Sequence, residues 1–286
     1  MNRSEASGSY VLGSDGIFRP PFQVQHRDEE FQESSFDVLL AMQERHFWYR
    51  GRHRFLLGAL DRFRAVASDP DVIDLGGGCG GWIRYLSQHR GSWASTLALA
   101  DSSPVALHAA ASVLPSSVQR YQVDLMDLRW DGRWDVAFLL DVIEHLPDDL
   151  CALQQARRAL RPGGLLLVTV PAFPAFWSYN DELALHLRRY TRADFLRLAE
   201  AADFELCDAR YFMFLLSPLY LLARHRPGIA RMSEEQKRKL FVRSHRTPAA
   251  PVNEALSAVF AAETPFGHKV RFPWGTSMLG VFRKAG

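Results

Sequence analysis

Residues Val72–Trp82 read V-I-D-L-G-G-G-C-G-G-W, an apolar run that carries Asp74 near its end and passes directly into five glycines within six positions. Glycine accepts positive φ and lets the backbone approach a bound group closely, so glycines concentrated between a strand and a helix mark a ligand-holding turn. That junction constrains the fold to an α/β class, in which helices cross between parallel strands and ligands sit at the strands' carboxyl ends. Gly76, Gly78 and Gly80 with Asp74 spell D-x-G-x-G-x-G, while Gly76, Gly78 and Gly81 also satisfy the dinucleotide pattern G-x-G-x-x-G. The glycines alone therefore leave the cofactor open.

Three further strand ends narrow the choice. Leu97–Ala100 stops at Asp101, and Ser102-Ser103-Pro104 opens a helix; a carboxylate there can accept from two ribose hydroxyls in either cofactor class. Tyr121-Gln-Val-Asp124-Leu125 ends in an acid placed for an adenine amino group. Phe138-Leu-Leu-Asp141-Val-Ile-Glu144-His145-Leu-Pro147 is followed by Leu160-Arg-Pro-Gly-Gly-Leu-Leu-Leu-Val168. In order and spacing this series resembles the class I S-adenosylmethionine (SAM)-dependent methyltransferases, from about Phe47 to Phe212 and more loosely over Ser277–Lys284. Asp141 to Pro147 and His186–Arg192 are similar to the small-molecule methyltransferases grouped as type 11 or type 12 domains.

The resemblance implies a Rossmann-like, seven-stranded, mostly parallel sheet with helices on both faces and an antiparallel last strand beside the fifth. It implies SAM as methyl donor and S-adenosylhomocysteine as product. Cofactor contacts would come from Asp74, Gly76, Gly78, Gly80, Asp101, Ser102, Asp124, Leu125 and Asp141.

Along the chain, residues 1–35 are polar and read as a flexible leader or lid. Residues 36–66 form a helical cap whose seam, Arg45-His-Phe-Trp48-Tyr49-Arg50-Gly-Arg52, offers aromatic faces for a sulfonium and, in Arg52, a partner for the methionyl carboxylate. Simple packing of Phe47 and Trp48 on the sheet explains the same residues equally well. The SAM-binding core runs over 67–212, a helical insertion over 213–276, and a final core strand over 277–286. Within the insertion, Phe212–Ala223 is mostly apolar, broken by Pro218 and too short to span a bilayer. It is open to core or dimer packing, an acceptor pocket, or a membrane interface.

Methyl transfer is an in-line displacement that needs alignment and, for a hydroxyl, removal of a proton. His145, after the fourth core strand, is the first candidate base, and His186 the second. Trp48, Tyr49, Arg188, Arg189 and Tyr190 are candidate acceptor contacts, the paired arginines being suited to a carboxylate or phosphate. Asp141, Glu144 and His145 resemble the acid-x-x-acid-His cluster with which polyprenyl-catechol O-methyltransferases hold a divalent ion, but the same letters occur in metal-free relatives, and no metal is expected. The acceptor is expected to be a small or lipid-like metabolite, methylated on a hydroxyl oxygen; transfer to nitrogen or carbon, or a non-catalytic scaffold role, are the alternatives.

Composition sets outer limits. The 286 residues carry a net charge of +2, and the basic side is nearly all arginine, dispersed rather than clustered, so no nucleic-acid partner is expected. Cys79, Cys151 and Cys207 form no paired motif, which fits a reducing cytoplasm. No apolar stretch predicts a signal peptide or a transmembrane span, although attachment to a membrane surface and a homodimer both stay open.

Overall fold

The computed structural model describes residues 10–24, 36–63, 68–224, 232–244 and 246–286. In chain order the elements are β1 (Val11–Leu12), β2 (Ile17–Arg19), α1 (Phe36–Arg45), α2 (Phe47–Arg62), β3 (Asp71–Leu75), α3 (Gly81–Arg90), β4 (Thr96–Asp101), α4 (Pro104–Ala111) and β5 (Gln119–Gln122). Then follow β6 (Trp134–Leu140), α5 (Asp149–Ala159), β7 (Leu160–Pro171), α6 (Tyr179–Leu183), α7 (Arg192–Ala201), β8 (Phe204–Phe212), α8 (Ser217–Arg224), α9 (Glu234–Ser244), α10 (Ala250–Lys269) and β9 (Ser277–Lys284). They build one sheet in the order β1-β2-β5-β4-β3-β6-β7-β9-β8.

Strands β3 to β7 pair in parallel, and β9 lies antiparallel between β7 and β8, where the resemblance puts it. The sheet has nine strands instead of seven because residues 10–24, expected to be part of a flexible leader, form a hairpin. Its strand β2 pairs in parallel with β5 at Phe18↔Tyr121 and covers an otherwise open edge. Ile17 is fully buried beneath it, and Tyr10 stacks on Trp130 at 4.9 Å. The rest of the expected leader or lid, residues 1–9 and 25–35, lies outside the described residues.

Alternation along each strand divides the core into two layers. Ile73, Leu75, Ala137, Leu139, Leu166 and Val168 face the layer that includes α5 and α7. Val72, Phe138, Leu165 and Leu167 face the opposite layer with α2, α3 and α10. Burial on both faces is why these strands read as near-continuous apolar runs.

Helix α10 is the element that sequence reading did not isolate within the insertion. It packs along α2, and Phe260 occupies the space that any side chain at Gly51 would need. Asn253 bridges the α1–α2 seam, its Nδ2 donating to the Arg45 carbonyl at 2.9 Å and its Oδ1 accepting from the Phe47 amide at 2.9 Å.

At the far end of α10, His268 stacks on Phe55 at 4.3 Å. Burial, with Arg62 and Arg210 adding, lowers its imidazole to about 4. His53, fully buried, is depressed in the same direction by burial and then by Arg52. A histidine with a depressed folded-state pKa stabilises the fold fully above its unfolded value of about 6.5 and loses that contribution as pH falls through the window toward 4. The melting temperature is therefore expected to fall between pH 6.5 and 4, and His268→Phe to flatten part of that slope. Differential scanning fluorimetry across that range tests this; an unchanged slope in the variant would remove His268 from the account.

Candidate active site

The carboxyl ends of β3, β4, β6 and β7, the loop after β5, the α1–α2 seam and the α6 and α8 segments enclose a cavity of ≈ 330 Å³. At its floor the chain leaves β3 through Gly76, whose φ is 72° and whose Cβ would meet Val142 Cγ2 at 2.8 Å. Gly78 has φ of 55°, and its amide donates to Asp101 Oδ2 at 2.8 Å. The other carboxylate oxygen of Asp101 accepts from the Ser103 amide at 2.9 Å, so this acid is pinned in one orientation at the rim of the glycine turn.

Asp74, Gly76, Gly78, Asp101, Ser102, Asp124 and Leu125, all anticipated from sequence, line this one cavity. Gly80 does not. It is the residue before α3, with φ of 77°, and a Cβ there would meet Leu114 at 2.9 Å, so its role is to let the helix begin. Asp124 Oδ1 accepts from the Met126 amide at 2.9 Å. Asp74 is almost wholly buried, and its Oδ1 lacks a hydrogen-bond partner. Burial raises its carboxyl to about 7, opposed by Arg52 and reinforced by Asp101.

The aromatic seam meets this floor from above. His46 caps α2, its Nδ1 accepting from the Trp48 amide at 3.2 Å. The Arg52 guanidinium lies over Trp48 at 4.9 Å and Tyr49 at 5.1 Å, and all three residues line the cavity. Sequence reading assigned Arg52 to a cofactor carboxylate; here its Nη1 donates to Asp141 Oδ2, which also accepts from Thr169 Oγ1 at 3.1 Å. Its Nε is left buried without a partner. Asp141 holds φ of 57°, a conformation its short side chain tolerates and which turns the carboxylate back toward α2. Met42 and Gln43 of α1 also line the cavity and were not anticipated, because α1 presents an ordinary mixed pattern in sequence.

On the opposite wall, Glu144, His145 and His186 come together, with the His145 and His186 rings edge to face at 4.8 Å between centroids. Asp181 organises this wall. Its Oδ1 pairs with His186 Nδ1 at 3.0 Å and with Arg189 Nε at 2.8 Å, and its Oδ2 accepts from Arg189 Nη2 at 2.9 Å and from the Ser178 amide at 2.8 Å. Burial opposes ionisation of Asp181, but His186 and Arg189 outweigh it and hold the carboxyl at about 2. His145, by contrast, is pushed down to about 3, by burial first and by His186 second. Asp181 was missed from sequence, although Ser178-x-x-Asp181 is a capping box five residues before His186.

Of the three acceptor contacts expected on this segment, one reaches the cavity and two do not. Arg189 lines the cavity but is buried and committed to Asp181, with Tyr220 Oη at 2.8 Å as a further partner. Arg188 turns the other way, to Asp149 at 2.9 Å and the Pro147 carbonyl at 3.0 Å, so the two arginines form no clamp. Tyr190 is buried in the core beneath the site, its hydroxyl donating to the Ile143 carbonyl at 3.1 Å and lying 2.8 Å from Asp149 Oδ2. Adjacent residues in an extended segment point to opposite sides, which sequence adjacency conceals.

The apolar insertion segment is likewise divided. Met213 and Tyr220 reach the cavity, Leu216 is buried in the core, and Leu215, Leu219 and Leu222 are exposed. The Asp141, Glu144 and His145 set anticipated as a low-weight metal cluster does not assemble, since Asp141 is taken by Arg52; Glu144, His145 and His186 group instead, with ligand-type atoms within 4.8 Å of one another.

A family model described as a methyltransferase domain matches residues 44–209. Among curated proteins, 2-methyl-6-phytyl-1,4-hydroquinone methyltransferase of Synechocystis is 30% identical over 157 residues, 54% of this chain and 42% of that protein. Phosphoethanolamine N-methyltransferase 2 of Caenorhabditis elegans is 27% identical over 150 residues, 51% of this chain and 34% of that protein. The matches thus span less than half the length of these relatives. Among solved structures, the [4+2]-cyclase SpnF superposes with a TM-score of 0.55 at 19% identity, over 88% of this chain and 93% of that one. Haemonchus contortus phosphoethanolamine N-methyltransferase 2 in complex with SAM gives 0.55 at 15% identity, over 89% and 58%. These two likenesses establish the fold.

Proposed function

We propose that this chain, which belongs to the SAM-dependent methyltransferase family, transfers the methyl group of SAM to a small-molecule acceptor held against His186. The observation that carries this reading is the convergence in one cavity of two half-sites, the glycine turn with Asp74, Asp101 and Asp124, and the His186–Asp181 pair opposite.

When bound, SAM supplies an electrophilic methyl group on a positively charged sulfur. Asp101, held by two backbone amides at the glycine turn, is placed for the ribose hydroxyls, and Asp124 would accept from the adenine amino group. The unpartnered oxygen of Asp74 suits the methionyl ammonium. Trp48 and Tyr49 line the same space, and aromatic rings there suit a sulfonium.

His186 is the preferred base. Asp181 fixes its Nδ1–H tautomer, which leaves the Nε2 lone pair to take the acceptor's proton, the arrangement a general base needs. His145, depressed to about 3, is a weak proton acceptor and serves better to orient the acceptor. Alignment within the closed cavity supplies the larger part of the rate.

A lipid-like acceptor draws support from the exposed Leu215, Leu219 and Leu222 near the cavity wall formed by Met213 and Tyr220. No helix among the described residues is long and apolar enough to cross a membrane. Calorimetric titration with SAM, S-adenosylhomocysteine and NAD tests the cofactor assignment; binding of both SAM and its product is expected, and tight NAD binding with none for SAM would overturn it.

A further inference from the structure

Glu144 is fully buried and lines the cavity, and neither of its carboxylate oxygens has a hydrogen-bond partner. Beside it, His145 presents an equally unpartnered Nδ1. His186 has committed Nδ1 to Asp181, so its Nε2 is the ring atom left for the cavity. The three side chains thus bring proton acceptors to one point, with ligand-type atoms within 4.8 Å of one another.

A neutral hydroxyl carries one proton and can satisfy one of these acceptors, leaving the others desolvated and unpaired. An ammonium group carries several. Acceptors about 2.9 Å from a tetrahedral nitrogen stand about 4.7 Å apart, which a grouping within 4.8 Å accommodates. We infer that the group methylated is the nitrogen of a primary amine, received as its ammonium, with three N–H donors, by Glu144, His145 and His186. This rests on the methyl-transfer reading and narrows its substrate class, against the hydroxyl expected from sequence.

Burial, with Asp141 adding, raises the Glu144 carboxyl well above the ordinary range, and a cation placed against it acts in the opposite direction. In the reaction, His186 Nε2 takes one ammonium proton. The freed nitrogen lone pair forms the bond to the methyl carbon as the carbon–sulfur bond breaks, its electron pair remaining on sulfur as a neutral thioether. Positive charge passes from sulfur to the nitrogen, which departs as the methylated ammonium. The proton on His186 is released to solvent. Glu144 faces the nitrogen's charge throughout, which stabilises it as it develops.

The test uses the full chain saturated with S-adenosylhomocysteine and measures calorimetric binding of two isosteric pairs, benzylamine against benzyl alcohol and butylamine against butanol. At least one amine is expected to bind about 10-fold or more tightly than its alcohol. Glu144→Gln is expected to reduce that amine to the alcohol's level with S-adenosylhomocysteine affinity unchanged, and Glu144→Asp, should the first variant not fold, to reduce it in part. Equal affinities within both pairs, absence of amine binding, amine affinity indifferent to the Glu144 variants, or stoichiometric zinc uptake that depends on Glu144 would each overturn the inference. Failure of S-adenosylhomocysteine itself to bind would instead sink the underlying methyl-transfer reading.

Discussion

His186→Ala is expected to lower kcat about 100- to 10,000-fold, the range lost when a positioned general base is removed. The affinity for S-adenosylhomocysteine should remain close to wild type, because the imidazole bonds to Asp181 and takes no part in the hydrogen bonds that hold Asp101 and Asp124. Stopped assays with radiolabelled SAM, paired with product calorimetry, separate the two effects. The corresponding change at His145 should cost less, since that ring is a weak base in its buried setting. If His145→Ala proves the more damaging for kcat while His186→Ala is mild, the roles assigned to the two histidines must be exchanged.

The second large effect is expected at Asp101. Its carboxylate organises the glycine turn through the Gly78 amide, and in the proposed function it also receives the ribose. Asp101→Ala should cost about 1.5–3 kcal/mol of SAM binding, roughly a 10- to 150-fold rise in Kd, for loss of charge-assisted hydrogen bonds. Asp101→Asn keeps the size and one acceptor and should fall between. A Kd unchanged in both variants would move the ribose elsewhere and leave Asp101 as a turn acid alone.

Those strand-end acids were legible because each rule that exposes them is local. A buried parallel strand must end, the backbone must turn, and an acid at that point is visible as a letter beside glycine, serine or proline. Strands β8 and β9 were legible too, β9 as an apolar run and β8 as apolar residues interleaved with Glu205, Asp208 and Arg210. What stayed hidden depended on tertiary direction. Arg188 and Arg189 are neighbours in sequence but answer to Asp149 and Asp181, on different sides of the segment. Arg52 has the chemistry for a ligand carboxylate, yet an internal carboxylate reaches it first. The hairpin at residues 10–24 was hidden because its strands contain only 2 and 3 residues, too short for alternation to register. Its partner, the β5 edge, is reached only after another hundred residues of chain.

Asn253 gives the cap over the cofactor an order of assembly. The seam that carries Trp48, Tyr49 and Arg52 is stitched by a side chain some two hundred residues later, at |i−j| of 206 and 208, with Phe260 from the same helix pressed into the notch at Gly51. On a ribosome, the glycine turn and its acids emerge long before the residue that braces the roof above them. The same late stretch also supplies β9, the strand between β7 and β8, so the brace over the site and the strand that completes the sheet arrive together.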